Sequence, residues 1–587
     1  MTQLLREESV DIQAEKVTIK HKRVSYFPRF IDTDNYGSQS VFFNPKTQHL
    51  RITKAASLSP SGEIKQIDPA KVQVVDTNTY NTFHSEKEVI LILQGLQEGS
   101  LSVVEYEIVT QRDAMESDWS RELYLQNNYP IENYQLNVKW DKTQVFRWAT
   151  DSQEVKCEEQ ASSLYCHGDN LDAYKGDANA YWKDHINRIS IGSLDSWNQV
   201  VSRANKLMAE AEKDRKGLPQ LAERLSENTD SIEQRIANIL QFVSRDVRYV
   251  SMSEHGNAMT PHTLAETIEN RFGDCKDKSA LLKALLEVNG LQANYALVAT
   301  QRMDQDKVLV PTMNVFNHVV VCFKFDGNEY CVDPTDMQTN WQYTPAWIQG
   351  KVVLPLVSGY IPHTMDSSRF RWQMQSSTEI DFTADGGQQE TQKRVYLGQY
   401  ASGYRSSLYP DTEKGRQDYL IKQYKRVVYD KAEPSFTIEH LEGMSAELVI
   451  HSKADLAPFL KVGEPLVYSE SDAWIKDELK ELRLSNEHYT EQFPGLRVES
   501  SFNYDTKGLW RITDLPASLH FSHEFGFLTR EVFRESDSSI NIKTVLRIPS
   551  RKVQAKDIEA FNQLLNTYSK QSEIRFKGVV MESNLPD

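Results

Sequence analysis

The 587-residue sequence lacks the composition that marks several large classes of protein. Its 25 glycines and 20 prolines are too few for a fibrous repeat, and 39 % hydrophobic residues are too many for a disordered chain. Basic residues are in deficit, since 67 Lys and Arg face 83 Asp and Glu, and the net charge of −16 argues against a broad grip on nucleic acid. The sequence predicts a globular chain of three or four domains.

Long apolar runs are also missing. The longer ones, such as the run over residues 89–93, are the size of a strand, whereas a transmembrane helix needs about 18 to 20 apolar residues. Residues 1–13 lack the charged start, apolar middle and cleavage site of a secretory signal. The protein is therefore expected to be cytoplasmic, or its numbering begins after a removed signal.

Cysteine is scarce and odd in number: Cys157, Cys166, Cys275, Cys322 and Cys331. Asp326-Gly327 predicts a type I′ hairpin turn, because that turn needs positive φ at both central residues. This register sets Cys322 opposite Cys331 at a non-hydrogen-bonded position, where Cα atoms lie about 4.5 Å apart, within the usual disulfide range. We favour a disulfide here.

Cys157 and Cys166 leave two interpretations open. They flank a short polar stretch and could close a second small loop, or they are buried thiols in a reducing compartment. Because disulfides persist in oxidising compartments, the cysteine pattern favours a periplasmic or cell-envelope location, with the signal absent from this numbering. A cytoplasmic location is the alternative.

The hydrophobic pattern divides the chain into three parts. Residues 1–191 predict an antiparallel, sandwich-like β domain, with strands at 16–27, 50–56, 63–67, 89–93 and 101–110 and an irregular extension from about residue 140. Residues 192–365 predict a helical linker and an α+β core. Residues 366–587 predict a mainly β domain with helices, which gives an α+β multidomain protein overall.

The chemistry concentrates in the central part. Asp274 and Asp277 predict a capped helix start, an apolar stripe follows, and Gly290 ends the helix. Cys275 lies in the first turn, where unpaired N–H groups and the helix dipole favour a thiolate, which makes it a candidate nucleophile. Two nearby lysines, at positions 276 and 278, add positive charge, which the two aspartates oppose.

His318 is the candidate base, and Asp333 is its candidate orienting group. The hairpin register makes them diagonal neighbours on one sheet face, about 7 to 8 Å apart, within reach of a side-chain hydrogen bond. Asp333 would then hold the ring so that its other nitrogen faces Cys275. Each residue also has an alternative without a catalytic role. His318 could be a core histidine whose hydrogen bonds are satisfied, and Asp333 could start a turn before Pro334.

A metal site is the weakest alternative. His520 and His523 are the only closely spaced histidines, and they lack a helical His-Glu-x-x-His context, so surface residues are the favoured interpretation. No metal and no cofactor are predicted.

Three motifs carry a family resemblance: GDCKDK at 273–278, FNH at 316–318 and VDPT at 332–335. Together they resemble the bacterial transglutaminase-like superfamily, whose core has a papain-like Cys-His-Asp arrangement in this chain order. The resemblance covers about residues 231–359, and the N-terminal part resembles the uncharacterised domain that often precedes this core in exported bacterial proteins. It implies Cys275 as nucleophile, His318 as base and Asp333 as its orienting group. The motifs identify no oxyanion side chain, so the Cys275 N–H is assigned that role, with Tyr249 as a second candidate.

The expected reaction is cysteine-dependent acyl transfer at an amide through a thioester. Hydrolysis of a protein or peptide is favoured over cross-linking, because water is always available and no amine site can be identified. The alternative from another class is a catalytically idle interaction protein of the cell envelope, with an envelope partner. The sequence does not determine the oligomeric state.

Overall fold

The computed structural model describes residues 1–581 except for residues 69, 71, 78–81, 113–117, 228, 254–258 and 428–433. Strands account for 42 % of the chain and helices for 23 %, so the predicted α+β class with two strand-rich flanking parts is confirmed. No helix in the described part of the chain is long and apolar enough to cross a membrane.

The N-terminal part is built on an eight-stranded sheet of order β13-β14-β11-β1-β2-β9-β4-β5, antiparallel except for the β1·β11 pair. The strand predicted at 101–110 corresponds to β9, in which burial alternates, since Val104, Tyr106 and Ile108 are buried. The elements are β1 (Thr2–Ile12), β2 (Lys16–Phe27), α1 (Phe30–Tyr36), β3 (Ser38–Phe43), β4 (Gln48–Leu58), β5 (Ile64–Gln66), β6 (Val72–Asp76), β7 (Thr82–His84), β8 (Lys87–Ile92), β9 (Ser100–Gln111), β10 (Ser120–Tyr124), β11 (Ile131–Trp140), β12 (Arg147–Thr150), β13 (Lys156–Gln160), β14 (Ser163–Leu171), α2 (Trp182–His185) and β15 (Arg188–Gly192).

The segment after Trp140 is more regular than the sequence suggested. It supplies β13 and β14 to the large sheet, and β12 and β15 join β10 in a three-stranded sheet. Leu123 and Ile189 of that small sheet share one core with Val10 and Leu136 of the large sheet, so the two sheets pack against each other. The expectation of an irregular extension was wrong, because its strands are short and are divided between two sheets, where β14 also pairs with β11 and β15 also pairs with β10.

The central part packs helices against a five-stranded sheet of order β21-β20-β19-β22-β23. Helix α7 lies between this sheet and helices α4, α5 and α6, which is why it is buried on almost every side. The elements are α3 (Trp197–Met208), α4 (Leu218–Ser226), α5 (Ile232–Gln241), β16 (Arg248–Tyr249), β17 (Ser251–Ser253), α6 (Leu264–Asn270), β18 (Phe272–Gly273), α7 (Cys275–Val288), β19 (Ala293–Ala299), β20 (His318–Phe325), β21 (Asn328–Val332), β22 (Val352–Pro355) and β23 (His363–Thr364).

The β20–β21 hairpin has the predicted register. Asp326 and Gly327 have φ of 47° and 76°, and Cys322 pairs with Cys331. The predicted Cys322–Cys331 disulfide is present, with Cα atoms 4.0 Å apart. Cys157 and Cys166 also form a disulfide, across β13 and β14, which decides between the two interpretations of that pair.

The C-terminal part has a second eight-stranded sheet, of order β26-β27-β25-β24-β30-β34-β33-β32, antiparallel except for β24·β30. Four helices cover one end of this sheet, and the small sheet β28-β36-β31 covers the other. The division at residues 191 and 365 stays a prediction. The elements are β24 (Trp372–Phe382), β25 (Gln388–Gly398), α8 (Gln399–Leu408), α9 (Glu413–Val427), β26 (Ser435–Glu439), β27 (Leu448–Leu456), β28 (Leu466–Ser471), α10 (Ala473–Glu481), β29 (Glu491–Phe493), β30 (Leu496–Asp505), β31 (Trp510–Asp514), β32 (Leu519–His523), β33 (Gly526–Arg534), β34 (Ser539–Ile548), β35 (Arg551–Val553), α11 (Ile558–Gln571) and β36 (Glu573–Val580).

Candidate active site

Cys275 is the first residue of α7 and is half-buried. Asp274 caps the helix by accepting from the Lys276 N–H at 3.1 Å, and Asp277 accepts from the Asp274 N–H at 2.9 Å. A Cβ on Gly273 would lie 2.5 Å from the Asp277 Cβ, so only glycine allows this close approach. The predicted capped start of the helix is confirmed. Because Cys275 lies in the first turn, its backbone N–H has no acceptor within the helix.

His318 begins β20 and lies between two partners. Its Nε2 is 3.0 Å from Asp333 Oδ2, and its ring also interacts with the side chain of Cys275, which favours the charged ring. Because Asp333 occupies Nε2, the nitrogen that remains for the sulfur is Nδ1. The structure thus brings together the three side chains that the sequence singled out.

Asp333 follows directly after β21 and is only 2 % exposed. Its Oδ1 accepts from both the N–H and the hydroxyl of Thr335, each at 2.8 Å, which leaves Oδ2 for His318. The aspartate therefore does make the local turn contacts that were the alternative interpretation, and it contacts the histidine as well.

The environment of His318 favours the protonated ring. Burial disfavours the charged form, but the hydrogen bonds to Asp333 and Cys275 outweigh it and raise the pKa of His318 to about 10. An imidazolium beside the sulfur stabilises a thiolate, and such a pair can act as a nucleophile and a proton donor.

The two lysines of the motif contribute in a different way from the one expected. Lys276 forms a buried ion pair with Asp274. Lys278 donates to the carbonyls of Ser244 and Val247 at 3.0 and 2.9 Å, and burial lowers its pKa to about 8. Both ammonium groups thus bind neighbouring protein atoms, and the cation that contacts the thiol is His318.

Tyr249 lies on β16. This strand pairs in parallel with β18, and β18 ends directly before the helix cap. Burial, followed by the charges of Cys275 and Asp274, raises the pKa of Tyr249 to about 12, so its hydroxyl stays protonated at neutral pH. A neutral phenol near the sulfur can donate a hydrogen bond to a developing oxyanion.

Comparisons with known proteins identify the central part. Residues 219–334 match the family model of the transglutaminase-like superfamily. Residues 219–334 form a transglutaminase-like domain. It is preceded by a match to a domain of unknown function, DUF3857, over residues 33–170. Both parts of the resemblance seen in the sequence are thereby confirmed.

One solved structure shares the fold over almost the whole chain. A putative protease from Parabacteroides distasonis aligns over 98 % of this chain and 99 % of that chain, with a TM-score of 0.64 and 12 % identity. A putative cysteine protease from Cytophaga hutchinsonii covers 55 % of this chain and 77 % of that chain at 13 % identity, with a TM-score of 0.16. No curated protein matches the chain.

Trp347 is a residue beside the transglutaminase-like site that the sequence did not reveal. Its ring centroid lies 4.8 Å from that of His318, and 42 % of the residue is exposed. It belongs to a loop between Asp333 and β22 that has no periodic pattern, so hydrophobic spacing gave no signal.

A cleft of about 860 Å³ begins at Trp347 and lies between the three parts of the chain. Its walls come from residues 179–185, from 300–304 and 346–351 of the central part, and from Arg371, 481–494 and 552–554 of the C-terminal part. The cleft is therefore open to ligands beside the histidine of the transglutaminase-like site.

His520 and His523 lie far along the chain, on the edge strand β32, and both are exposed. Within the described ranges, no group of three or more His, Cys, Asp or Glu side chains is arranged to hold a metal ion.

Proposed function

We propose that the protein is a cysteine-dependent hydrolase of amide bonds, a peptidase or amidase, in which Cys275, His318 and Asp333 are the catalytic residues. The observation that carries the proposal is the position of His318, whose Nε2 lies 3.0 Å from Asp333 Oδ2 and whose ring interacts with Cys275. A buried carboxylate fixes the ring and its charge, and the ring supports the thiolate.

The first half-reaction transfers the acyl group to sulfur. The Cys275 thiolate attacks the carbonyl carbon, and the oxyanion receives hydrogen bonds from the Cys275 N–H and the Tyr249 hydroxyl. His318 then gives its proton to the leaving nitrogen, the C–N bond breaks, and a thioester and a free amine result. Asp333 stays ionised and holds the imidazole.

The second half-reaction regenerates the free enzyme. His318 takes a proton from water, the hydroxide adds to the thioester, and the C–S bond breaks to give a carboxylic acid and the thiolate. An amine in place of water would give a cross-linked product, which is the transglutaminase alternative. Hydrolysis is favoured because water needs no binding site of its own.

We also propose that the protein works outside the cytoplasm, on a protein or peptide. Its two disulfides, Cys157–Cys166 and Cys322–Cys331, are compatible with an oxidising compartment. Fractionation of the native host, with detection of the full chain and its disulfides, tests the location. A reduced protein in the cytoplasmic fraction would contradict it.

Cys275 is the single free thiol, since the other four cysteines are paired, so alkylation reports on this residue alone. We expect iodoacetamide to label the native protein at pH 6, and His318→Ala to abolish labelling at that pH. Labelling of the wild type only above about pH 8, as for an ordinary thiol, would overturn the enzyme proposal.

The product distinguishes the reactions. Mass spectrometry of peptide mixtures should show cleaved peptides, and an acyl-enzyme on Cys275 that is absent from Cys275→Ala. Incorporation of an added primary amine with little cleavage would favour cross-linking. Inertness towards both peptides and amines, together with normal thiol reactivity, would favour the interaction protein.

A further inference from the structure

Lys351 is a buried cation at the wall of the cleft. It is only 4 % exposed, and its Nζ lies 3.4 Å from the centroid of the Tyr181 ring. Among the described residues no carboxylate lies within 4.0 Å of this ammonium group. The ring face and the charge of Asp184, which forms no ion pair with Lys351, balance only part of the lost hydration.

Arg371 adds a second cation to the same wall. Its Nε is buried and has no hydrogen-bond partner in the described part of the chain. The phenols of Tyr343 and Tyr181 interact electrostatically with its guanidinium, and burial lowers the arginine's pKa. The guanidinium has no carboxylate partner there either, although it lines the cleft.

Two acidic residues of the cleft are engaged by backbone N–H groups, and one of them, Asp184, also interacts electrostatically with Lys351. Asp184 accepts from the N–H groups of Met303 and Asp304 at 2.9 and 3.4 Å. Glu491 accepts from the N–H groups of Ser485 and Asn486 at 2.7 and 2.8 Å. Neither carboxylate forms an ion pair with Lys351 or Arg371, so the positive charge of this wall is balanced only in part.

Buried cations without counter-ions are unfavourable unless a bound ligand supplies the missing negative charge. We propose that Lys351 and Arg371 bind a carboxylate group of the peptide substrate, supplied by a free C-terminus or by an acidic side chain. Trp347 connects this wall to His318, so the peptide would run along the cleft from the site of reaction to the two cations. The inference rests on the proposed function.

The test is binding by calorimetry to the full-length Cys275→Ala protein. Three acetylated probes are compared: tetra-alanine with a free C-terminus, the same peptide as an amide, and an alanine tetrapeptide amide that contains one glutamate. We expect one of the two acidic probes to bind at least tenfold more tightly than the neutral amide, and the identity of that probe reports the source of the carboxylate.

Two variants test the residues. Lys351→Met and Arg371→Met should each remove most of this preference, while leaving binding of the neutral amide within about twofold. Lys552→Met is the matched control, because Lys552 also lines the cleft but is exposed, and it should keep the preference. Circular dichroism verifies the fold of each variant. If Lys351→Met fails to fold, Arg371→Met, a change at a half-buried side chain, tests the proposal by itself.

The outcomes separate the two proposals. Equal binding of acidic and neutral probes, or a preference that survives both variants, overturns the carboxylate site while leaving the hydrolase proposal intact. A preference that depends on Lys351 and Arg371, in a wild type that cleaves no peptide, supports the carboxylate site and contradicts the hydrolase proposal.

Discussion

His318 holds a proton that burial alone would remove. The carboxylate of Asp333 and the sulfur of Cys275 shift its protonation into the alkaline range, with a pKa of about 10. The imidazolium is therefore the resting form at neutral pH, and its loss should mark the alkaline limit of activity.

Replacement of Asp333 by asparagine should move that limit. In Asp333→Asn the pKa of His318 falls towards its ordinary value, so the alkaline limb of kcat/KM shifts to lower pH and kcat drops by roughly 10² to 10⁴. The pH profile of peptide cleavage measures both effects. Asp336→Asn is the matched control, since Asp336 accepts from Gln338 and Thr339 instead of contacting His318. An unchanged alkaline limb in Asp333→Asn would contradict this assignment.

Lys351 illustrates a residue whose burial lowers stability. Its pKa is lowered to about 8 because burial penalises the ammonium form. Between pH 8 and the unfolded-state value of 10.5, the unfolded chain binds more protons than the folded one, so stability rises with pH over this window. The charged form is most destabilising below it.

Lys351→Met should therefore raise the melting temperature at pH 7, and the difference from the wild type should shrink as pH rises through this window. Thermal unfolding at pH 7, 9 and 10.5 measures the effect, and Lys552→Met should show no such trend. A lower melting temperature for Lys351→Met at pH 7 would mean that the Tyr181 contact outweighs the lost hydration.

At the scale of elements, the β20–β21 hairpin joins the proposed base and its proposed orienting group. The disulfide lies on the two strands that carry His318 and lead to Asp333, and Ser279 of α7 donates to the Val319 carbonyl at 3.1 Å. Helix and hairpin are thereby fixed to each other beside the site.

The two disulfides form a natural matched pair, because each joins residues nine apart across neighbouring strands. The double variant Cys322→Ser/Cys331→Ser should lose roughly 2 to 3 kcal/mol of stability and also lower kcat, because the strands that carry the catalytic groups loosen. Cys157→Ser/Cys166→Ser should lose similar stability with kcat unchanged. Urea unfolding and peptide cleavage measure the two quantities, and equal effects on kcat would exclude the bracing role.

The same elements show what a sequence can predict. The capping box and the Asp326-Gly327 turn are local, so the helix start, the hairpin register and the Cys322–Cys331 bond followed from residues a few positions apart. The small sheet after Trp140 and the position of Trp347 depend on pairings across distant segments, for which local pattern contains no signal.

At the scale of the whole molecule, the N-terminal part is attached to the C-terminal part beside the cleft. Asp177 accepts from the N–H groups of Glu487, His488 and Tyr489 at 3.0, 2.8 and 2.7 Å. His185 stacks on Tyr489 with ring centroids 3.9 Å apart. These contacts fix two walls of the cleft relative to each other.

Asp177→Ala should loosen the cleft without touching the catalytic groups. We expect KM for a peptide to rise about fivefold, which corresponds to roughly 1 kcal/mol, while kcat stays within twofold of the wild type. Steady-state kinetics measures both parameters. Asp172→Ala, a change at an exposed aspartate of the same segment, is the control, and a fall in kcat alone would contradict a role confined to binding.

The cleft has a consequence for how such proteins diversify. Tyr181, Lys351 and Arg371 meet at one wall but belong to three segments separated by long stretches of sequence. Under the proposed function, substitutions in the flanking parts can therefore alter which peptides are accepted while the GDCKDK, FNH and VDPT motifs stay constant. Relatives with the same motifs need not share a substrate, and recombination between the flanking parts offers a route to new specificity.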